Sequence, residues 1–581
     1  MAALERGESN AFRKIAAIPS RDRLMKRWSA LKQDRSSWES HYRELGDYIL
    51  PRRLRLEGKT WRNRGTKRND KIYNGAATLA LRSLRSGLQA GLTSPSRPWF
   101  RLTVPDPALT DLPEVKQWLY IVEDRIRTAL HKSNVYNSLA SLYGDLAVYG
   151  ISPLYTEAHP ATIVRSWVIP VGEYWVAADE LGRVNTVYHE TQLTVFQLVR
   201  RFGYRAVSTG VRDKYDRGDY DIPIDVLHVV EPRTERDPEK DDRENMPWAS
   251  YWLEIATDTR DTYLAVGGYQ ENPYMVPRWD ITGSDVYGTS PAMEALPDIK
   301  SLQYYERRKA QVMDKIVTPP MIAPASMQRT GLKLLAGDTT YVAKGDVGAA
   351  EQIRPAVQID TRAALLREEI AEYTKRINQA FYADLFTTLL YSDLRQPRTA
   401  TEIAELHEEK VLQLGPQLQR LDDELLRPLI DRFFFVLYRR GDIPPAPPVL
   451  EGEEYKVVFE SILATAQKLV GIANIERATA YIGNVAQTLD PQARDKFDVD
   501  AAIDDYAERV GIAPSLVRPT QATMILRQAR AKMQQQAAMM QAAPAAKQMT
   551  GAMKDLSEIP EDDQGETALG NILQRMSPGL G

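Results

Sequence analysis

Residues 293–317 read MEALPDIKSLQYYERRKAQVMDKIV, and their spacing predicts one long helix with two unlike sides. Stepping 100° per residue, Lys300, Arg307, Arg308, Gln311 and Lys315 fall within about 100° of arc. Ile299, Leu302, Tyr305, Val312, Met313 and Ile316 share the other side. Thr318-Pro319-Pro320 ends the run, and the next forty residues or so read as loop and strand, including TTYVA at Thr339–Ala343. A second helix is expected over 361–382, where Leu366, Ile370, Tyr373, Ile377 and Phe381 line one stripe suited to packing against a partner helix. After an interruption at 383–397, a third helical stretch covers 398–440. It would extend about 60 Å if straight at ~1.5 Å per residue, with bends expected at Gly415-Pro416 and Pro428.

Upstream, Leu24, Trp28, Leu31, Trp38, Tyr42, Leu45 and Ile49 recur at helical spacing until Pro51 stops them, and a further helix opens after Asn74 with Leu79, Leu84 and Leu88. Helical patterning continues over 116–150. From Ile163 to Ile281 the texture changes to short runs rich in Val, Tyr, Trp and Ile (IVRSWVIPV, YWVAAD, VNTVYHE, VLHVV, YWLEIA) between Gly, Pro and Asp clusters. Connections this short join antiparallel strands and leave no room for crossover helices. The fold class expected is therefore α+β, mostly helical. Residues 462–520 read as short helices, and the tail from about Gln521 is Ala/Gln/Met-rich, helical by propensity to Pro544 and acidic beyond.

The chain has 581 residues, with 75 Lys and Arg against 78 Asp and Glu, and no cysteine. Disulfides, thiol catalysis, zinc fingers and iron–sulfur clusters are excluded together. No apolar run approaches the roughly 18–20 residues that span a bilayer, and the charged start MAALERGESN lacks the apolar centre of a secretory signal, so no membrane partner is expected, and use or assembly in a cytoplasm is. The near-neutral total hides an asymmetry: residues 1–101 hold 23 basic and 9 acidic side chains, so the remainder is strongly acidic. The sharpest basic block is PRRLRLEGKTWRNRGTKRNDK at 51–71, a segment fit to track a phosphate backbone or to serve as a solvated loop or an interface to an acidic neighbour.

No constellation of catalysis is present. The phosphate-binding loop, the dinucleotide fingerprint, His-Glu-x-x-His and Gly-x-Ser-x-Gly are all missing, and His41, His131, His159, His189, His228 and His407 are dispersed. Glu402, Glu405, His407, Glu408 and Glu409 spread over more than one face of a helix and read as a solvated charged face, not a metal site. No catalytic residue, metal or cofactor is assigned, and a chain of long helices with a β insert acts by assembly.

The run Trp28, Trp38-Glu39, Tyr42, Tyr48-Ile49-Leu50-Pro51-Arg52, then Asn74-Gly75-Ala76, Leu79, Leu84, Gly87-Leu88, Gly91-Leu92-Thr93-Ser94-Pro95 and Pro98-Trp99-Phe100, resembles the portal (head-to-tail connecting) proteins of short-tailed, podovirus-type bacteriophages. Tyr287-Gly288-Thr289-Ser290-Pro291 with Leu296-Pro297-Asp298-Ile299-Lys300 is similar to the family's lead-in to its stem helix, and Arg398-Thr399-Ala400-Thr401-Glu402-Ile403 is a third match. The resemblance spans about residues 20–530.

It implies a virion ring, usually of twelve copies, at one capsid vertex. Double-stranded DNA passes in and out through it without sequence preference, terminase and a tail adaptor dock on it, and major capsid and scaffold proteins surround it. It also implies a portal fold with a wing at 1–290 (β-rich over 160–281), a stem helix at 291–317, a clip at 318–360 and a second stem helix at 361–382. A channel loop at 383–397, a long wing helix at 398–440, a crown at 455–520 and a barrel helix and tail at 521–581 complete that scheme. Rival readings are a tail adaptor, an internal ejection protein or a packaging-motor enzyme subunit.

Duplex DNA carries about one negative charge per 1.7 Å, so a channel crowded with cations would hold it fast. Few basic residues per chain are expected on the wall: Lys300, Arg307, Arg308 and Lys315, with Arg395 and Arg398 flanking a loop formed by Leu389, Leu390, Tyr391, Ser392, Asp393 and Leu394. The alternative for the helix cations is pairing with Glu368, Glu369 or Glu372 of the second stem helix or of the next subunit.

Overall fold

A computed structural model describes residues 19–56, 69–106, 112–237, 242–256, 263–322, 354–355, 363–384, 414–450, 456–459, 478–482, 498–510 and 523–537, with single residues 109, 239, 240 and 484. The chain divides into two compact units, Met1–Thr110 with Trp118–Gln467, and Asp111–Gln117 with Lys468–Gly581.

The larger unit begins with α1 (Arg21–Tyr48), capped by Ser20, whose side chain accepts from the Arg23 amide. Its stripe buries Leu24, Trp28 and Leu31 against one face of a five-stranded antiparallel sheet, where Trp175, Tyr188, Leu227, Val229, Tyr251 and Leu253 meet them. That sheet is an ordered meander of β4 (Tyr174–Ala178), β5 (Val184–Thr194), β6 (Pro223–Pro232), β7 (Trp248–Glu254) and β8 (Ala265–Tyr269). The alternation of strand side chains sends Leu227 and Val229 toward α1 and Val226 and His228 to the opposite face. A three-stranded sheet of β3 (Ile163–Val168), β2 (Leu154–His159) and β9 (Tyr274–Met275) lies on that opposite face. Tyr155 and Tyr274 close on His228 there, at ring separations of 5.5 and 5.6 Å. The antiparallel expectation for this region is met throughout.

The sequence reading missed one feature of this region. Between β5 and β6 the chain forms α5 (Val195–Phe202) and α6 (Thr209–Asp216), a short helical hairpin. Thr194 and Gln197 form a reciprocal capping box at its start, and Ser208 caps the second helix. Those residues were the signal available, hidden by the strand-rich texture on either side.

The remaining helices before the sheets are α2 (Ala76–Leu92), α3 (Pro113–Lys132) and α4 (Val135–Tyr149), with β1 (Phe100–Thr103) between α2 and α3. In α2, Ala77, Ala80, Leu81, Leu84 and Leu88 are buried, whereas Leu79, expected on the apolar stripe, is 58% exposed. The Ala residues carry the buried side because small side chains let α2 approach α4 closely.

Past the sheets come α7 (Pro291–Val317) and α8 (Ala363–Ala380), which pack together with Tyr305 and Tyr373 stacked at 5.5 Å. Ile299, Leu302, Ile377 and Phe381 are buried, but Met313 and Ile316, placed by periodicity on the same apolar side, are each 47% exposed in the single chain. The pair is thus seated in the body of the fold only at the end nearest Pro291. Between these helices the described residues include the strand pair β10 (Met321–Ile322) and β11 (Arg354–Pro355).

The described part of the third helical stretch does not run through Gly415 as a bend. A fresh helix, α9 (Gly415–Leu421), starts there with Pro416 in its first turn. A π turn over Asp422–Leu426 then leads into α10 (Arg427–Arg440). Pro428 falls in the first turn of α10, where its missing N–H matters least. The last strand of this unit, β12 (Lys456–Phe459), returns to pair with β1.

In the smaller unit, α11 (Val499–Val510) and a helix over 523–537 are tied by Arg527, whose guanidinium nitrogens reach the Asp500 carboxylate at 2.5 and 2.6 Å.

Candidate functional site

The root of α7 is built from Tyr287-Gly288-Thr289-Ser290-Pro291, and each residue has one job. Tyr287 is buried, its ring 6.2 Å from Trp38, and its hydroxyl accepts from the Val176 amide. Gly288 meets Gly150, which ends α4 in the left-handed region at φ 74°. The Trp279 amide donates to the Gly150 carbonyl at 2.9 Å, and the Thr289 amide to the Asp280 carbonyl at 2.8 Å. Ser290 caps α7 by accepting from the Met293 amide while donating its hydroxyl to the Val148 carbonyl at 2.7 Å. Pro291 supplies a preset φ at the first helical position.

Behind this root sits Arg278, whose side chain is 2% exposed. Its guanidinium donates to the Glu424 carboxylate at 2.5 Å and to the Gly182 carbonyl at 2.7 Å, and its backbone amide also donates to Glu424 at 2.8 Å. Arg420 reaches Asp280 nearby at 3.4 Å. The helix–π-turn segment 415–426 is therefore clamped to the lead-in of α7. Arg278→Met should leave the Glu424 carboxylate half-buried without its partner and cost about 3–5 kcal/mol. The double variant Arg278→Met/Glu424→Met should lose less than the single one. Urea-unfolding midpoints check both; a single variant as stable as the parent would disprove the clamp.

A second anchor forms at Asn74-Gly75-Ala76. The Gln303 side chain, buried on α7, accepts from the Tyr73 and Asn74 amides at 2.7 and 2.8 Å and donates to the Asn74 carbonyl at 2.9 Å. The Asn74 side chain in turn accepts from the Ala76 amide, starting α2, and donates to Glu306.

The six expected channel cations separate by environment. Lys300 pairs with Glu44 of α1 at 2.6 Å, so its charge is spent within the chain, on a carboxylate other than those anticipated. The Arg307 guanidinium stands 5.9 Å from the centre of the Tyr73 ring. Arg308 lies over its own helix neighbour Tyr304 at 5.1 Å and donates to Gln311. Arg307, Arg308 and Lys315 are exposed and have no carboxylate in ion-pair reach among the described residues. Glu372 pairs with Arg376 of its own helix. Arg395, Arg398 and the loop residues Leu389, Leu390, Tyr391, Ser392, Asp393 and Leu394 lie outside the described residues, as does the acidic run around His407.

The basic block at 51–71 is described only at its ends. Arg53 is given over to structure: its Nε donates to the buried Asp145 carboxylate at 2.8 Å. Lys71 contacts Asp47 at 2.5 Å.

Two histidines form a buried polar cluster. Register places His189 and His228 directly opposite on β5 and β6. His228 has the Tyr274 hydroxyl at 2.7 Å on Nδ1 and the Ser250 hydroxyl at 3.1 Å on Nε2, and it stacks on Trp252 at 3.9 Å. His189 shares the same tyrosine hydroxyl at 3.2 Å. Burial holds both rings neutral, lowering His228 well below its usual value and His189 to about 3, with the Arg201 charge adding to the effect. These are the structural histidines that strand placement implied.

Among the described residues no group of three or more His, Asp or Glu is placed to hold a metal ion, and no helix is long and apolar enough to cross a membrane. The arrangement is a scaffold: a long helix, charged along one side, seated in a rigid α+β body by two buried polar anchors.

Comparison with known proteins gives that scaffold a family. The model of the family described as bacteriophage head to tail connecting protein matches residues 21–517. The chain belongs to this family. It is 38% identical over 557 residues to the portal protein of Salmonella phage epsilon15, covering 96% of this chain and 99% of that one. It is 40% identical over 524 residues to a probable portal protein of Bordetella phage BPP-1, covering 90% and 93%. Among solved structures it is similar to a chain from the neck of an empty GTA particle computed with C6 symmetry. That match has a TM-score of 0.33 and 11% identity, and covers 70% of this chain and 84% of that one.

Proposed function

We propose that this chain is a portal subunit of a phage head. Copies form a ring at one capsid vertex, usually twelve in such rings, and double-stranded DNA enters and leaves through its centre. The ring is the platform on which terminase and then a tail adaptor dock, and it contributes no catalytic step of its own. The observation that carries this reading is the match over nearly the whole length to two proteins that bear the portal name. The helix α7 supports it physically, since it presents Arg307, Arg308 and Lys315 to solvent while Lys300 is paired with Glu44.

A moving duplex needs weak, repeated contacts to its phosphates, and three cations per copy without a carboxylate partner among the described residues supply those without a trap. We assign Arg307, Arg308 and Lys315 to that role, with Arg395, Arg398 and the 389–394 loop as further contacts. Negative-stain images of the purified chain should show closed rings with an axial hole, and the sample should not hydrolyse ATP. Arg308→Glu with Lys315→Glu should leave those rings intact and reduce packaged DNA about tenfold or more. Loss of the ring in that variant would assign the two cations to subunit contact, and full packaging would remove them from the channel.

A further inference from the structure

The connections on either side of β6 leave the five-stranded sheet at opposite ends. At ~3.3 Å per residue, the 10 residues of β6 set those ends about 33 Å apart.

One end carries the α5–α6 hairpin. Val195, Leu198, Val207 and Val211 pack on Val226, Trp252 and Leu264, so the hairpin is held by a small core of its own. Outside that core Phe196, Tyr204 and Tyr220 are 46%, 41% and 46% exposed. With Tyr215 they make an unbroken edge-to-face strip: Phe196 to Tyr220 at 6.0 Å, Tyr220 to Tyr215 at 5.1 Å and Tyr215 to Tyr204 at 6.0 Å. Arg200, Arg205, Lys214 and Arg217 belong to the same hairpin and are in no ion pair with a described residue, whereas Arg201 is held by Glu157. With Arg212 these cations outnumber Asp213, Asp216, Asp219 and Asp221, of which Asp216 accepts from the Tyr204 hydroxyl, so the end keeps a basic excess. Exposed aromatic rings beside arginines are the composition of an interface centre, not of a solvated loop.

The other end carries the turn at 179–183 and the loop at 233–247. Leu181 is 75% exposed at the tip of the turn, beside Asp179 and Glu180. The Asp179 side chain accepts from the Leu181 and Arg183 amides, which fixes the turn. The loop adds Glu235, Asp237, Glu239, Asp242 and Glu244, against Arg233, Arg236, Lys240 and Arg243. Arg233 is already engaged with backbone carbonyls, and Lys240 with Asp237.

We infer that these two ends are the two halves of the contact between neighbouring copies of this chain. The aromatic and arginine end of one copy seats on Leu181 and the acidic loop of the next. The apolar tip finds the ring strip, and the carboxylates find Arg200, Arg205 and Arg217. Two surfaces at opposite ends of one sheet cannot meet within a chain, and a contact between unlike surfaces closes into a ring when repeated by rotation. The inference rests on the ring reading proposed above.

The test is a charge swap read by negative stain and native mass. Arg205→Glu with Arg217→Glu, and separately Glu235→Arg with Glu239→Arg, should each lower the fraction of chain in rings at least about tenfold. The four substitutions together should restore it. All four substituted residues are exposed, and unchanged melting of each variant subunit excludes misfolding as the cause. Rings that survive both reversals, a combined variant no better than its parents, or variants that form rings but fail to enter heads would overturn the contact. A parent chain that forms no ring would overturn the ring reading itself.

Discussion

Gly288→Ala is expected to destabilise the protein by about 3 kcal/mol or more, and to do so at the root of α7. A methyl group at 288 would meet the Gly150 carbonyl oxygen and would lie 2.9 Å from the Asp280 carbonyl oxygen. Both are backbone atoms held by hydrogen bonds, so neither can swing aside as a flexible side chain would. Gly150→Ala should be at least as harmful, because it adds a left-handed φ of 74° to a clash with the 288–289 backbone. Gly218 is the control: its φ is 84°, but nothing stands within 4 Å of the position a methyl would take. Gly218→Ala should cost only about 1 kcal/mol, the price of the backbone conformation alone. Urea-unfolding midpoints rank the three. If Gly288→Ala unfolds at the same concentration as the parent, the close approach of α4 to the root of α7 is not what positions the helix.

The second large effect is with pH. His228 and His189 stay neutral in the fold while an unfolded histidine titrates near 6.5, so below that pH the unfolded chain binds protons that the native one refuses. Stability is therefore present in full above about pH 6.5 and falls as the pH drops toward the depressed native values. Each refused proton costs about 1.4 kcal/mol per pH unit. With His189 lowered to about 3 and His228 well below its usual value, each refuses nearly a whole proton at pH 5, so the slope there should approach two protons.

The groups facing the pair are the Tyr274 and Ser250 hydroxyls, the Tyr155 and Trp252 rings and the charge of Arg201. Carboxylates elsewhere contribute their own acid sensitivity, so the comparison is with His228→Gln. That variant keeps a donor and an acceptor for Tyr274 and Ser250 and should flatten the dependence of unfolding free energy on pH between 6.5 and 4.5. An unchanged slope in the variant would show that the histidine cluster does not govern acid stability.

Much of the helical architecture was legible in the residues. The α1 stripe from Leu24 to Ile49, the start of α7 at Ser290-Pro291 and the strand texture between Ile163 and Ile281 are local patterns, set by periodicity and caps. The α5–α6 hairpin was missed although its capping box at Thr194 and Gln197 is equally local, because a short helix between strands leaves too few turns for its period to stand out. The exposure of Leu79, Met313 and Ile316 was not legible either, since a helical period says which side chains share a face but not how far a neighbour covers it.

The candidate site divides the same way. The cations of α7 could be named from spacing, and the Tyr287–Pro291 motif could be matched to a family, without knowledge of any contact. Which cation is free depends on charges far away in the chain: Glu44 reaches Lys300 across 256 residues, and Glu424 reaches Arg278 across 146. Likewise, strand propensity puts His189 and His228 in a sheet, but only register sets them opposite one another. The sequence by itself determined the long helices, the antiparallel strands and the absence of cysteine chemistry, because those depend on neighbours within a few residues or on composition. Tertiary structure alone decided which charges are spent, which glycines are crowded and which end of the sheet is aromatic, because a charge or a carbonyl acts through space on whatever the fold brings beside it.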